Sequence, residues 1–296
     1  MTVRIQPAGP QSPDFAGEAA GIDLRQTLTP DEVAAVERGM DRFGVLVFHG
    51  QPIDDAQQLV FSRCFGTLET ASGDLAQGEQ RRLSDEVNDI SNVDKDNTLM
   101  ARDDRRRLFG LGNMLWHSDS SFKAVPAKYS ILSARAVPPQ GGNTEFADMR
   151  AAWVTLDAET RALVEVLVCE HTQVHSRGVL GFTDFTGDER RRFAPVLQRL
   201  VRTHPATGRR SLFLSSHAGA IVGWPVPEAR NLLRDLVEHA TQREFVHAHV
   251  WRVGDVVMWD NRATMHRGRR YDATERRDLR RTTVACEHAT VEQQAA

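Results

Sequence analysis

His117 and Asp119 lie two residues apart in Trp116-His117-Ser118-Asp119. In an extended segment, residues i and i+2 point to the same side, so this imidazole and this carboxylate converge on one point. Taken alone the pair also reads as a surface histidine beside an aspartate. A third donor is available at His266, in Trp259-Asp260-Asn261-Arg262-Ala263-Thr264-Met265-His266-Arg267, after a strand that ends near Trp259. Two imidazoles and one carboxylate occupy one face of an octahedral Fe(II) and leave three positions open. A chelating co-substrate fills two of these and O₂ the third. Arg277 and Arg281 follow on a segment that reads as a strand over 279–286. If the strand begins by 277, the two guanidiniums share a face, with Cα atoms roughly 13 Å apart. Guanidinium is always charged and grips carboxylates bidentately. Two of them facing a metal can hold two carboxylates, one on a co-substrate and one on a substrate. The competing reading is a solvated basic run: eight Arg fall between 262 and 281, with Asp272, Glu275 and Asp278 among them as partners.

Other histidines compete for the same role. His247-Ala248-His249 puts two imidazoles on one strand face, with no third ligand or carboxylate motif beside it. His171 and His175 are four apart in what reads as a strand edge, too far apart to converge. His204 and His217 flank a hairpin and can line a pocket. Cys64, Cys169 and Cys286 show no CxxC spacing, which excludes a zinc ribbon.

The elements that must position these residues can be read from local signals. Thr29-Pro30-Asp31-Glu32 is a capping box with Pro at the first helical position, opening a helix to Phe43. Gly44–Phe48 is a short apolar run, read as a buried strand, and 54–65 is helical. From Thr70 to Arg107 the chain is polar and rich in Gly and Asp, broken only by a strand-like Ile90–Val93; such a stretch is usually a functional loop or lid. Lys128–Val137, Thr144–Ala147, Ser211–Ser215, Phe245–Arg252 and Asp255–Trp259 suit strands, while 157–168 and 227–241 suit amphipathic helices. Strands joined as hairpins, with no GxGxxG or phosphate loop, point to an antiparallel sandwich with helices packed outside it.

Composition bounds the function. The 296 residues hold 37 Lys+Arg against 40 Asp+Glu, a formal net charge of −3, which argues against a nucleic-acid binder. No apolar run approaches the roughly 20 residues of a membrane span. Met1–Ala20 has no apolar core behind a basic start, so neither a leader nor a membrane anchor is expected. An odd number of scattered cysteines suits a reducing, cytoplasmic compartment. Whether the chain forms a homo-oligomer stays open.

In this order, these residues resemble the Fe(II)/2-oxoglutarate dioxygenases of the taurine dioxygenase superfamily. Asn113–Phe122 resembles that family's His-x-Asp block, and Gly141–Phe146 its Gly-Gly-x-Thr strand. Gly254–Arg267 resembles the distal-His block, and Arg276–Thr283 the closing Arg strand. The likeness runs from residue 15 to 287 and implies a single dioxygenase domain over 1–296, mainly β, with a double-stranded β-helix (jelly-roll) core and flanking helices. It implies Fe(II) on His117, Asp119 and His266. It also implies that Thr144 and Arg277 hold the distal carboxylate of 2-oxoglutarate and that Arg281 holds the anionic group of the primary substrate. Asn113 and His217 are placed by it near that substrate, and the 70–107 region becomes a lid. The blocks Trp116–Phe122, Thr144–Arg150 and His266–Asp272 look closest to members that hydroxylate aryloxyacetates, releasing a phenol and glyoxylate with succinate and CO₂. Those members are expected to place a Lys in the lid, where this chain reads Gly73-Asp74-Leu75-Ala76-Gln77-Gly78-Glu79-Gln80-Arg81-Arg82 and leaves Arg81 or Arg82 as substitutes. The alternatives are the same chemistry on an alkylsulfonate or 2-aryloxypropionate, or a jelly-roll that binds a small acid or metal without turnover.

Overall fold

The structure, a computed structural model, describes residues 2–9, 13–71, 75 and 81–292. Apart from Leu75, the lid residues 73–80 lie outside the described residues. The chain enters along the antiparallel pair β1 (Arg4–Pro7) and β2 (Gly17–Ala20). α1 (Pro30–Phe43) opens on the expected capping box, with Thr29 and Glu32 each bonding the other's backbone. It ends at Gly44, whose φ of 68° is the left-handed conformation that glycine adopts without a Cβ penalty. β3 (Val45–Phe48), α2 (Asp55–Arg63), β4 (Asn88–Ser91) and α3 (Arg105–Gly110) complete the N-terminal part.

The central part runs β5 (Ala127–Ala136), β6 (Thr144–Asp148), α4 (Met149–Thr155), α5 (Ala158–Val164), β7 (Val168–His171), α6 (Gln173–Val179) and α7 (Gly187–Arg192). β8 (Val196–Arg199), β9 (Val201–Thr203), β10 (Arg210–Leu212), β11 (Ala218–Ile221) and α8 (Val226–Ala240) follow. The last strands are β12 (Val246–His249), β13 (Val256–Asp260), β14 (Thr264–Gly268) and β15 (Asp278–Ala285).

A seven-stranded sheet has the order β1-β2-β3-β13-β5-β15-β4, antiparallel except for β2 against β3. It faces the smaller sheet β12-β6-β14, and β11-β7-β8 and β10-β9 extend the second layer. This is the jelly-roll core with helices outside it. Both faces of the large sheet are covered, so β3 reads as a continuous apolar run rather than an alternation. Val45 and Val47 turn inward with Trp259, Leu132 and Phe146. Leu46 and Phe48 turn outward onto Val36, Met40 and Phe43 of α1 and Phe61 of α2. Each of those helix side chains is buried and contributes roughly 1.5–3 kcal/mol of hydrophobic free energy. The two layers meet where Phe146 packs on Trp259, ring centroids 5.4 Å apart.

Several expected boundaries shift for local reasons. The 157–168 helix stops at Val164, because Val168 must begin a strand that pairs with β8 and β11. The strand expected over Phe245–Arg252 contracts to β12, since Phe245 closes a 3-10 turn and joins the helical core. The segment holding His171 and His175 is not one strand edge: Thr172 caps α6, its Oγ1 accepting from the Val174 N–H at 3.1 Å, so only His171 is on a strand. Within the 70–107 region, β4 pairs with β15 as the last strand of the large sheet. No helix among the described residues is long and apolar enough to cross a membrane.

Candidate active site

His117 and His266 are brought together by backbone pairing. Their N–H and C=O groups exchange two hydrogen bonds, His117 N to His266 O at 3.0 Å and His266 N to His117 O at 2.8 Å. His266 is itself on β14, opposite Phe146 of β6, rather than in a loop after β13. The two imidazole rings lie 4.2 Å apart. Asp119 completes the trio, with Oδ1 at 3.8 Å from His117 Nε2 and Oδ2 at 3.7 Å from His266 Nε2. Among the described residues this is the only group of three such side chains whose ligand atoms all fall within 4.8 Å of one another. His247 and His249 form no such group.

His117 and Asp119 are aimed by their neighbours. His117 Nδ1 is 2.7 Å from the Leu115 carbonyl, which can only accept, so Nδ1 carries the proton and Nε2 presents a lone pair. The chain turns after Asp119 through Ser120 at φ 53°, a conformation rare for a side-chain-bearing residue and held here by the Ser120 hydroxyl donating to Glu69 at 2.6 Å. Ser130 Oγ donates to Asp119 Oδ2 at 2.7 Å, and Asn261 braces both, accepting from the Asp119 N–H and donating to Ser130 Oγ. Arg281 donates to the other oxygen, Asp119 Oδ1. Burial would raise the Asp119 carboxyl, but Arg281, the two imidazoles and Ser130 outweigh it and bring the pKa down to about 2. Burial lowers both histidines and keeps them neutral. Two neutral imidazole nitrogens and an ionised carboxylate, all buried, form a donor set that fits Fe(II) with an open face. His266 Nδ1 is buried without a partner.

A cavity of ≈ 960 Å³ opens beside the trio. Its walls include Asn113, His117, Asp119, His217, Arg277 and Arg281, while His266 and Thr144 are buried and do not line it. The remaining surface is partly apolar, with Phe109, Met114, Phe122 and Tyr271. His217 Nδ1 lies 2.9 Å from Ser176 Oγ, and its ring meets Phe122 edge-on at 5.0 Å. Arg277 is buried, its Nη2 donating to the Gly142 carbonyl at 3.3 Å and its guanidinium lying 5.5 Å from the Tyr271 ring. Among the described residues no carboxylate pairs with it, and burial lowers its pKa. Gly142 itself sits at φ 70°, and a Cβ there would press on Pro138 Cγ at 3.1 Å, so glycine suits the turn whose carbonyl receives Arg277. Thr144 follows two residues later on β6, on the same interior face as Phe146 and so as His266 across the strand pair.

The sequence reading did not single out Arg177, whose buried guanidinium stacks 4.5 Å over Phe109 on the cavity wall and, after burial itself, helps lower the pKa of His117 and His217. The capping signal at Thr172, which starts the helix carrying it, was available. Arg82, one of the two residues available in place of a lid lysine, lines the cavity and is paired with Asp89 and Asp278 at 2.7 and 2.8 Å. Arg81 donates to the Ser84 and Val87 carbonyls.

Residues 4–283 match the family model described as taurine catabolism dioxygenase TauD, TfdA family. The chain is 50% identical over 277 residues to an alpha-ketoglutarate-dependent 2,4-dichlorophenoxyacetate dioxygenase of Cupriavidus pinatubonensis, covering 94% of this chain and 96% of that one. It is 37% identical over 281 residues to an (S)-phenoxypropionate/alpha-ketoglutarate-dioxygenase of Delftia acidovorans, covering 92% and 91%. Among solved structures, AAD-2 in complex with Mn(II) and N-oxalylglycine superposes with a TM-score of 0.90 at 55% identity, covering 99% of this chain and all of that one (100%).

Proposed function

The chain belongs to the TauD, TfdA family of dioxygenases, and from that premise we propose that it is an Fe(II)- and 2-oxoglutarate-dependent dioxygenase that hydroxylates an aryloxyacetate such as 2,4-dichlorophenoxyacetate. The observation that carries this reading is Arg277: a buried guanidinium, facing a cavity beside two imidazoles and a carboxylate, with no carboxylate of its own among the described residues. A buried cation without a counter-charge is costly. The far carboxylate of 2-oxoglutarate supplies that charge.

In this reading His117, Asp119 and His266 hold the metal. Bound there, Fe(II) supplies O₂ activation coupled to oxidative decarboxylation of 2-oxoglutarate to succinate and CO₂. Arg277 and the Thr144 hydroxyl hold the co-substrate's far end and fix its orientation. Arg281, with one nitrogen on Asp119 and its Nε without a partner, takes the substrate carboxylate. Asn113, His217, Phe122 and Met114 enclose the aryl ring. Hydroxylation at the carbon between the ether oxygen and the carboxylate gives a hemiacetal, which collapses to a phenol and glyoxylate. We take residues 1–296 as one dioxygenase domain. The three cysteines, all unpaired, suit the cytoplasm to which we assign it.

Anaerobic addition of Fe(II) and 2-oxoglutarate, followed by visible spectroscopy, tests this. A weak charge-transfer band that shifts when 2,4-dichlorophenoxyacetate is added is the expected result. A band indifferent to that compound would keep the cofactors and discard the substrate. No band in iron-replete protein would remove the metal assignment.

A further inference from the structure

We propose that Trp251 is a positioning residue for the co-substrate, acting through the Thr144 hydroxyl; this rests on the reading that Thr144 holds the far carboxylate of 2-oxoglutarate. The Trp251 indole Nε1 donates to Thr144 Oγ1 over 3.0 Å, and both side chains are buried. An indole N–H only donates, so the polarity of this contact is fixed and Thr144 must accept. A hydroxyl has one hydrogen. With an oxygen lone pair engaged by Trp251, the Thr144 hydrogen is directed away from the indole, and among the described residues no protein acceptor takes it. The Thr144 hydroxyl is thereby left as a donor on the interior face it shares with His266, two residues from the carbonyl that receives Arg277. An anionic oxygen beside Arg277 is the acceptor this arrangement calls for.

The indole is itself held in place. His249 pairs with Thr144 across β12 and β6, and two residues later the chain carries Trp251 back over that pair. The His249 ring meets the indole edge-on, centroids 4.6 Å apart at 89°. His249 Nε2 lies 3.1 Å from Asp255 Oδ2, while the other oxygen of Asp255 is 2.8 Å from His49 Nδ1. His249, the last residue of β12, thus packs against the edge of the ring, and the ring orients the hydroxyl. A phenylalanine would fill most of the same space without orienting anything.

The experiment compares Trp251→Phe, Thr144→Val and the double variant. For each, the 2-oxoglutarate dissociation constant is taken from anaerobic titration of the Fe(II)-loaded enzyme, with KM for both substrates, kcat and the thermal midpoint. Thr144→Val should weaken 2-oxoglutarate binding about 10-fold and Trp251→Phe about 5-fold, the size of one hydrogen bond to a charged group and part of one. The double variant should bind no more weakly than Thr144→Val alone, and KM for the primary substrate should hold in all three. Equal losses on Trp251→Phe in both backgrounds would mean that the ring only packs, and would overturn the proposal. So would a Trp251→Phe enzyme with unchanged affinity while Thr144→Val is impaired, an outcome that leaves the Thr144 reading intact. Unchanged affinity in Thr144→Val would instead overturn that reading, and this proposal with it. Should Trp251→Phe fail to fold, the indole N–H resonances of the five tryptophans in the Zn(II)-loaded chain provide a second test. One of them should move on Thr144→Val and should respond to 2-oxoglutarate only when Thr144 is present; no such resonance would sink the idea.

Discussion

Asp119, in the turn after His117, and Asp260, at the end of β13, are both buried carboxylates met by an arginine and by histidine, yet their surroundings differ in one respect. Around Asp260 every valence is used. Oδ1 accepts from the Arg262 backbone N–H and Nε at 2.8 and 2.9 Å, and Oδ2 from Arg262 Nη2 at 2.7 Å, with His204 Nε2 at 3.0 Å. Arg262 also reaches the Tyr129 hydroxyl at 3.2 Å. Around Asp119 the valences are left over: His266 Nδ1 and Arg281 Nε have no partner, and Arg277 has no carboxylate among the described residues. The closed cluster fastens the ends of β5 and β13 to the hairpin that carries His204. The open one is arranged for groups the chain does not contain. Satisfied polar networks rigidify a core, whereas unsatisfied buried groups cost stability and persist where something else completes them.

If that difference is functional, a substitution in each cluster should act on a different observable. His117→Ala should reduce succinate release by at least roughly 10³-fold, because a metal ligand is lost. It should change unfolding free energy by only about 1 kcal/mol, the value of one neutral hydrogen bond. Denaturant unfolding of the metal-free protein separates the two effects. A large stability loss there would break the comparison from the open side.

Asp260→Asn should do the reverse. It leaves Arg262 facing a neutral amide and should cost about 3 kcal/mol of folding free energy. Arg262 and His204 overcome the effect of burial and hold this carboxyl well below the ordinary carboxylate range. A group whose folded pKa is depressed stabilises above its unfolded value and loses that contribution as pH falls. Wild-type stability should therefore decline below about pH 4, and Asp260→Asn should lack that part of the acid limb, while its 2-oxoglutarate affinity stays unchanged.

Much of this was legible in the residues, for reasons that differ between the clusters. His117, Asp119 and His266 could be chosen because the chemistry fixes donor types and a spacing of two lets His117 and Asp119 converge, although the structure holds Asp119 in a turn rather than on a strand. α1 could be read because Thr29, Pro30 and Glu32 are neighbours in sequence. The contacts that complete the site are remote pairings: Arg281 is 162 residues from Asp119, and Asn261 is 142 from it. No local signal carries such a distance. The closed cluster was not visible, since His204 reads as a hairpin histidine until the fold sets it against Asp260, 56 residues on. Arg281 stands as the case between: its strand could be predicted, but β15 begins at Asp278 with a register shift before Leu279, so spacing alone gave neither a face shared with Arg277 nor the hold on Asp119.

Arg277→Met sharpens the comparison further. It removes a buried cation that has no carboxylate among the described residues, so the apo-protein should lose no stability and can gain some. The 2-oxoglutarate dissociation constant should rise by roughly 100-fold, the effect of truncating one side of a buried charge pair. A fall in stability as large as that of Asp260→Asn would show that Arg277 belongs to the scaffold.

The finest test uses two consecutive residues of β5. Tyr129 and Ser130 point to opposite faces of the strand, as the period of two requires, so Tyr129 reaches Arg262 and Ser130 reaches Asp119. Burial pushes the Tyr129 phenol up, so it stays neutral and offers a single acceptor at the edge of the closed cluster. Tyr129→Phe should cost about 1 kcal/mol of stability and leave both KM values alone. Ser130→Ala frees the Asp119 oxygen to rotate, and should weaken Fe(II) about 10-fold in competition with a chelator, as the loss of a group orienting a ligand does. Its thermal midpoint should move no more than that of Tyr129→Phe. Adjacent positions on one strand would then report to different halves of the molecule's chemistry, with the peptide bond between them marking where scaffold gives way to site.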